Sequence, residues 1–192
     1  MKKRSDPSIA LVGNPNCGKT ALFNALTGSR QKVANYAGVT VERKEGVFTS
    51  PGGTKVKLVD LPGTYSLRAR SPAEAVTRDV VLGKMDNETL PDALVCVADA
   101  TNLRLNLRLV LELKKLGLPI ILALNMMDEA EKLGMNIDAS ELSAALGVPV
   151  VPTIAIRSRP ARRGSSSAST TRSKSGSTRC GCRTGRATWP NT

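Results

Sequence analysis

The chain of 192 residues, 41% of them hydrophobic, is long enough for one domain with a buried core; it has no signal segment and no apolar run near the roughly 18 residues that cross a bilayer. The net charge of +12 comes mainly from residues 157–192, which hold nine of the 28 basic side chains and no acid, so the first 156 residues carry 19 basic and 16 acidic groups. Histidine is absent, which removes the commonest catalytic base and transition-metal ligand, so we expect chemistry that depends on phosphates and bound cations. Cys17 lies in a glycine loop and Cys96 in an apolar run, which suits a reducing cytoplasm better than a disulfide framework.

Predicted strands and helices alternate along the first 156 residues. Alternating units with apolar strands predict an α/β fold in which helices cover both faces of a mostly parallel sheet. Ligands in such folds bind at the carboxyl ends of the strands. The predicted elements are strand 8–12, helix 19–26, a β-hairpin of 47–49 and 54–59, strand 93–98, a helix from 103 to near Gly117, strand 120–124, a helix between Asp138 and Gly147, and strand 148–154.

The most specific motif follows the first strand and opens the first helix. Residues 13–20 read GNPNCGKT, a full match to the phosphate-binding P-loop, in which backbone N–H groups at a helix N-terminus converge on phosphates. Lys19 is expected to reach the β- and γ-phosphates and the Thr20 hydroxyl to bind Mg²⁺, while a simple glycine turn is the alternative interpretation. The predicted nucleotide-binding residues of this segment are Gly13, Asn14, Pro15, Asn16, Cys17, Gly18, Lys19, Thr20 and Ala21.

A second motif, Asp-Leu-Pro-Gly at 60–63, directly follows a predicted strand. Asp60 can hold Mg²⁺ through water, and the backbone N–H of Gly63 can sense a γ-phosphate, although Asp-x-x-Gly alone is a common turn. Ras-like GTPases place a water-orienting glutamine after this motif, where this chain has Thr64. Threonine is too short for that role, so we expect slow intrinsic turnover.

A third motif, Asn-Met-Met-Asp at 125–128, follows the strand 120–124. The Asp128 carboxylate can accept hydrogen bonds from N1–H and the exocyclic amine of guanine, groups that adenine lacks or presents with the opposite polarity. Asn125 would tie this loop to the P-loop, and Met126 can pack over a base. The motif favours GTP over ATP, although Asn-x-x-Asp on its own is often a helix cap.

The segment between the P-loop and the hairpin points to a particular family. Thr40 lies where GTPases carry the switch threonine that closes on Mg²⁺ and the γ-phosphate. The stretch 35–46, NYAGVTVERKEG, together with the three motifs, resembles the N-terminal G domain of bacterial ferrous iron transport protein B over about residues 8–156. This resemblance implies a P-loop NTPase of the Ras-like type, coupled to Fe²⁺ uptake at the cytoplasmic face of the inner membrane. The family polypeptide continues into a helical regulatory domain and a membrane permease, neither of which lies in these 192 residues.

The resemblance also implies roles for individual residues. The backbone of Thr153 and Ala155 would meet the guanine base. The side-chain oxygen of Asn16 would bind K⁺ together with the carbonyls of Ala34 and Tyr36, although Asn16 could instead cap the loop or the helix. The predicted Mg²⁺ ligands are Thr20, Thr40 and Asp60, the predicted catalytic residues are Asn16, Lys19, Thr40 and Gly63, and the predicted bound species are GTP or GDP, Mg²⁺ and K⁺.

Residues 157–192 contain no Leu, Ile, Val, Met or Phe. They cannot supply the amphipathic helix that normally follows the last strand, so we expect a G domain over 1–156 without its final helix and a disordered basic tail. A shifted reading frame would produce this composition; a functional tail that binds RNA or an anionic surface is the alternative. A ribosome- or RNA-associated GTPase with a basic tail, and an inactive truncated fragment, stay open as alternative functions. The stretch 35–46 favours the iron transport family, and no specific nucleic-acid partner is expected.

Overall fold

The computed structural model describes residues 6–28, 31–85 and 88–154, so Ala155 and the predicted tail lie outside the described residues. Within them, no helix has the length and apolar character needed to cross a membrane. The elements in chain order are β1 Ser8–Gly13, α1 Lys19–Thr27, β2 Gln31–Asn35, β3 Glu42–Thr49, β4 Lys55–Asp60, α2 Pro72–Val81, β5 Ala93–Asp99, a 3-10 turn Ala100–Asn102, α3 Leu103–Lys114, β6 Ile120–Asn125, α4 Met127–Lys132, α5 Ala139–Leu146 and β7 Val150–Pro152.

One seven-stranded sheet has the order β2-β3-β4-β1-β5-β6-β7. The strands β4, β1, β5, β6 and β7 are parallel to one another, and β3 runs antiparallel to both β2 and β4. The carboxyl ends of β1, β4 and β6 therefore lie at the same edge of the sheet, which brings together the three predicted motifs that follow these strands. The predicted α/β fold with a mostly parallel sheet is confirmed.

Helices cover both faces of the sheet. On one face, side chains of α2, α3 and α5 join the core beneath β1, β5 and β6, with Val80, Leu109 and Leu146 among them. On the other face, Phe23 of α1 is fully buried against Leu11 and Leu58. This helix lies over β1, β3 and β4.

On the face of the sheet that α1 covers, apolar side chains of β6 and β7 remain partly exposed to solvent. Ile121 of β6 is 38% exposed and Val151 of β7 is 48% exposed. Both alternate along their strands with residues that pack into the opposite core. The prediction that a final helix is missing concerns residues beyond 154, so it stays a prediction.

The second helix, α2, begins at a capping motif that sequence analysis overlooked. The Ser71 hydroxyl accepts from Glu74 N at 3.2 Å, Pro72 occupies the first turn, and the Glu74 carboxylate accepts from Arg70 N at 2.7 Å. Val76 and Val80 then lie on its buried side. The chain therefore gains a ten-residue helix directly after the Asp-Leu-Pro-Gly loop.

The last strand is shorter than predicted, since β7 covers Val150–Pro152 rather than 148–154. Pro149 has no N–H to donate to a strand ladder, and the Val148 carbonyl accepts instead from the Ser143 hydroxyl at 2.8 Å. The prediction was also incomplete elsewhere: it omitted β2 and α4 and began β3 five residues late.

Candidate functional site

The loop after β1 has the backbone conformation that only a few residue types tolerate. Asn16 has φ 63° and Gly18 has φ 86°. A Cβ atom on Gly18 would lie 2.0 Å from Nδ2 of Asn125, so this position has no room for a side chain. The loop and the N-terminus of α1 border a cavity of about 400 Å³, lined by Asn14, Pro15, Asn16, Gly18, Lys19, Thr20, Ala21 and Gly63.

The end of β4 contributes a carboxylate to this region. Asp60 is buried and accepts from Lys19 Nζ at 2.9 Å and from the Thr20 hydroxyl at 3.5 Å. A second cavity of about 250 Å³ is lined by Lys19, Thr20 and Asp60 together with Val41, Glu42, Lys44, Leu61 and Pro62. The described residues contain no cluster of three or more acidic or cysteine side chains that could hold a metal alone.

Two backbone hydrogen bonds fix the ends of the loop that follows Asp60. Leu61 N donates to Leu11 O at 3.1 Å, and Thr64 N donates to Gly13 O at 3.0 Å. Between them, Gly63 lies against the P-loop, since a Cβ on it would be 3.0 Å from Pro15 N. This loop and the P-loop thus form one wall of the larger cavity.

Thr64 is buried, and its hydroxyl is engaged away from that cavity. The side chain is 1% exposed, and its hydroxyl donates to Ser66 O at 2.6 Å. Thr64 is also not among the residues that line either cavity. Its contacts are those of a residue that shapes the turn.

The loop after β6 is tied to the P-loop as predicted. Asn125 is 4% exposed, and its Nδ2 donates to Cys17 O at 3.0 Å. Thr153, after β7, supports Asn125 from the other side: its hydroxyl donates to Asn125 Oδ1 at 3.3 Å, and its N–H donates to Leu124 O at 2.7 Å. Burial raises the pKa of the Cys17 thiol, which keeps this group neutral beside the P-loop backbone.

Asp128 lies in the first turn of α4, which begins after the left-handed residue Met126 with φ 60°. Oδ2 of Asp128 is 4.0 Å from Lys132 Nζ. Oδ1 is shielded from solvent and makes no hydrogen bond to any residue within 6–28, 31–85 and 88–154. A carboxylate oxygen held in this way is suited to accept hydrogen bonds from a ligand.

The predicted cation ligands Ala34, Tyr36 and Thr40 lie in a segment whose conformation keeps them out of both cavities. Tyr36 is 2% exposed, and its ring packs in the main core. Tyr36 N donates to Val41 O at 3.0 Å, and Tyr36 O accepts from Val39 N at 3.2 Å, so the segment closes into a turn. This turn leaves Thr40 exposed, and Ala34 is exposed on the edge strand β2. None of the three predicted cation ligands Ala34, Tyr36 and Thr40 lines either cavity.

Thr77 of α2 also contacts the site, although the sequence patterns did not single it out. Its hydroxyl donates to Pro62 O at 2.8 Å, and the side chain is fully buried. The helix start at Ser71-Pro72 was the available signal for α2, but nothing in the sequence connects Thr77 with the loop at 60–63.

The comparisons with known proteins agree on one family. The family described as Ferrous iron transport protein B matches residues 7–163. The Fe(2+) transporter FeoB of Escherichia coli (strain K12) is 51% identical over 159 residues, which cover 83% of this chain and 20% of that protein. An Fe(2+) transport protein A/Fe(2+) transporter FeoB fusion protein of Porphyromonas gingivalis is 51% identical over 146 residues, which cover 76% of this chain and 17% of the relative. The chain therefore spans about a fifth of the length of these relatives.

Solved structures show the same relationship. The G domain of the T. maritima FeoB iron transporter is 49% identical with a TM-score of 0.69, over 78% of this chain and 87% of that one. The T. maritima cytosolic domain in its GMPPNP form is 50% identical with a TM-score of 0.72, over 79% and 57% of the two chains. A GDP-bound mutant of the S. thermophilus FeoB G domain is 46% identical with a TM-score of 0.70, over 78% and 55%. The chain thus belongs to the ferrous iron transport protein B family, and the part of the family that it matches is the N-terminal G domain.

Proposed function

We propose that this chain is the domain of a ferrous iron transporter that binds and hydrolyses GTP. The observation that carries the proposal is the convergence of three strand ends on one site: the P-loop after β1, Asp60 at the end of β4 and Asn125 at the end of β6. The contacts Lys19–Asp60 and Asn125–Cys17 join these three segments.

The larger cavity is suited to polyphosphate. It lies at the N-terminus of α1, where free N–H groups and the helix dipole favour anions. Both polar atoms of the Asn14 side chain, 3% exposed, make no hydrogen bond to any of the described residues, so a bound polar group would satisfy them. Lys19 now neutralises Asp60, and in a complex its ammonium would be shared with the β- and γ-phosphates.

The smaller cavity is suited to Mg²⁺. Thr20 and Asp60 already place a hydroxyl and a carboxylate 3.5 Å apart. Mg²⁺ in nucleotide sites takes one or two protein oxygens and completes its shell with phosphate oxygens and water. Thr20 and Asp60 would hold the ion, which would supply positive charge against the phosphates. Thr40 can contribute only if the turn at 36–41 opens.

The loop after β6 favours the binding of guanine over adenine. The free Oδ1 of Asp128 supplies an acceptor for the guanine edge, and Asn125 holds that loop against the P-loop at a fixed distance from the phosphates. Thr153 supports the same loop through Asn125, while Ala155 lies outside the described residues.

Hydrolysis by this site is proposed to be slow. The position after Gly63 lacks a side chain that could orient water, because Thr64 is short and its hydroxyl is already bonded to Ser66 O. The attacking water would then be held by backbone groups of the loops around the γ-phosphate.

The expected result for the intact chain is binding of GDP and the triphosphate analogue GMPPNP in the presence of Mg²⁺, with ADP at least about 100-fold weaker. Such a difference corresponds to roughly 2.7 kcal/mol, the size of one or two hydrogen bonds to a charged acceptor. Fluorescent derivatives of the three nucleotides, titrated into the same protein, measure it. Equal affinity for GDP and ADP would contradict the proposal.

Potassium should accelerate hydrolysis through Asn16. This side chain lines the larger cavity, and among the described residues no hydrogen bond engages its amide. Its alternative role as a helix cap is not observed, because Gly18 is the N-cap of α1 and no side chain caps that helix. K⁺ held by the Asn16 oxygen and by phosphate oxygens would supply positive charge where Ras-like enzymes use an arginine.

We therefore expect faster GTP turnover in KCl than in NaCl at equal ionic strength, and loss of that difference in Asn16→Ala with GDP affinity nearly unchanged. Asn24→Ala is the matched control, since Asn24 is an exposed asparagine of α1 that lines neither cavity. Rates that agree within about twofold in the two salts, for protein that binds GTP, would rule out the potassium site.

The link to iron transport is proposed from family membership. Relatives that carry the name Fe(2+) transporter are about five times longer than the part matched here, so a helical regulatory domain and a membrane permease are expected partners of this domain. The domain would then act at the cytoplasmic face of the membrane. Binding of the basic segment 157–192 to anionic surfaces stays a prediction, since that segment lies outside the described residues.

A further inference from the structure

The Thr77 hydroxyl, on α2, forms a hydrogen bond with the middle of the loop at 61–64. The two ends of this loop are fixed by backbone hydrogen bonds to Leu11 and Gly13. The peptide between Pro62 and Gly63 lies between those anchors, and its carbonyl accepts from the Thr77 hydroxyl at 2.8 Å. The donor is on α2 and fully buried, so water cannot replace this hydrogen bond.

The orientation of that peptide decides what the larger cavity presents to a ligand. The described residues contain no cis peptide bond, so the C=O of Pro62 and the N–H of Gly63 point in opposite directions. With the carbonyl held toward α2, the N–H of the same planar peptide points away from α2. Gly63 lines the larger cavity, and its N–H makes no hydrogen bond to any residue that the structure describes.

We propose that Thr77 is a positioning residue for recognition of the γ-phosphate: its hydroxyl fixes the 62–63 peptide so that the Gly63 N–H faces the third phosphate of a bound nucleotide. The inference rests on the proposed function, because it requires that a guanine nucleotide occupies the cavity. It adds a role for α2, whose residues line neither cavity.

Removal of the hydroxyl should affect a triphosphate and a diphosphate differently. In Thr77→Val the Pro62 carbonyl loses its buried donor, which favours rotation of the peptide. Rotation turns the N–H away from the cavity and the carbonyl oxygen toward the γ-phosphate, so a hydrogen bond is replaced by repulsion. A diphosphate lacks the γ-phosphate on which this contact would act, so its affinity should not change.

The experiment compares fluorescent GDP and fluorescent GMPPNP, each with Mg²⁺, on the full 192-residue chain. We expect Thr77→Val to bind GMPPNP roughly tenfold more weakly, with GDP affinity within about twofold of the wild type. Thr77→Ser keeps the donor and should restore GMPPNP binding. Thr27→Val is the matched control, because Thr27 is also a buried helical threonine whose hydroxyl donates to a carbonyl, that of Phe23 at 2.8 Å, away from the cavity.

The possible outcomes separate this inference from the function on which it rests. A wild-type chain that binds neither nucleotide overturns the proposed function. A wild type that binds both, with Thr77→Val weakening GDP and GMPPNP equally or neither of them, overturns the positioning role alone. A GMPPNP-specific loss in Thr27→Val as well would also overturn it, since the effect would then come from general loosening of the fold.

Discussion

Replacement of Asp128 by asparagine should change the preferred base from guanine to xanthine. The carboxylate offers two acceptors, one of them free of protein partners, to the N1–H and amine donors of guanine. Asparagine keeps one acceptor and adds a donor, which matches xanthine, where a carbonyl replaces the amine. We expect GDP affinity to fall by about 100-fold, roughly 2.7 kcal/mol, and XDP affinity to rise above it.

Titrations of fluorescent GDP and XDP against wild type and Asp128→Asn measure this change. Glu129→Gln is the matched control, because it converts the neighbouring carboxylate, which is half exposed and paired with Lys132, to an amide in the same helix turn. This control should leave the preference for GDP unchanged. If the Asp128→Asn variant still prefers GDP, Asp128 does not contact the base.

The three nucleotide motifs could be located from sequence because each depends on local signals. A glycine-rich loop between an apolar strand and a helix, and polar residues directly after apolar strands, are visible within a few residues of each other. Parallel strand order then places all three at one edge of the sheet, which is why the Asn125–Cys17 contact could be expected across 108 positions of sequence.

The features that could not be predicted from the sequence are an element with a polar pattern and a contact that depends on tertiary packing. All five residues of the edge strand β2 are exposed, and neither face of it is buried. Its sequence, QKVAN, therefore lacks the alternation of apolar and polar residues by which a strand is recognised. Thr77 resembles any threonine of a helix, and only the packing of α2 beneath the loop at 60–63 gives its hydroxyl the Pro62 carbonyl as a partner.

The segment 34–41 shows a different limit of prediction from sequence. Motif spacing places Thr40 near Mg²⁺, but the burial of the Tyr36 ring and the turn from Tyr36 to Val41 hold Thr40 in solvent. Burial also raises the pKa of the Tyr36 hydroxyl above its usual range, with the nearby Glu88 carboxylate adding to the shift. The sequence indicates which threonine is a candidate to close on a ligand, but the conformation of its loop depends on core packing.

Introduction of a single methyl group at Gly18 should strongly weaken nucleotide binding. A Cβ there would lie 2.0 Å from Asn125 Nδ2, far inside van der Waals contact, and the backbone at φ 86° disfavours any side chain. Relief of the clash requires Asn125 to move, which breaks its hydrogen bond to Cys17 O and separates the base loop from the P-loop. Gly18→Ala should therefore weaken GDP binding by at least about 100-fold, since strain of about 1 to 3 kcal/mol adds to the lost hydrogen bond.

Two further variants separate the clash from backbone strain. Gly117→Ala is the matched control, because Gly117 also has a positive φ, 74°, but a Cβ there meets nothing within 4 Å, so GDP affinity should stay near that of the wild type. Asn125→Ala removes the atom with which the methyl group collides. If the clash is the cause, Gly18→Ala combined with Asn125→Ala will bind GDP about as well as Asn125→Ala alone, which a double-mutant cycle measures directly. Purely additive losses would instead assign the effect to the left-handed backbone of Gly18.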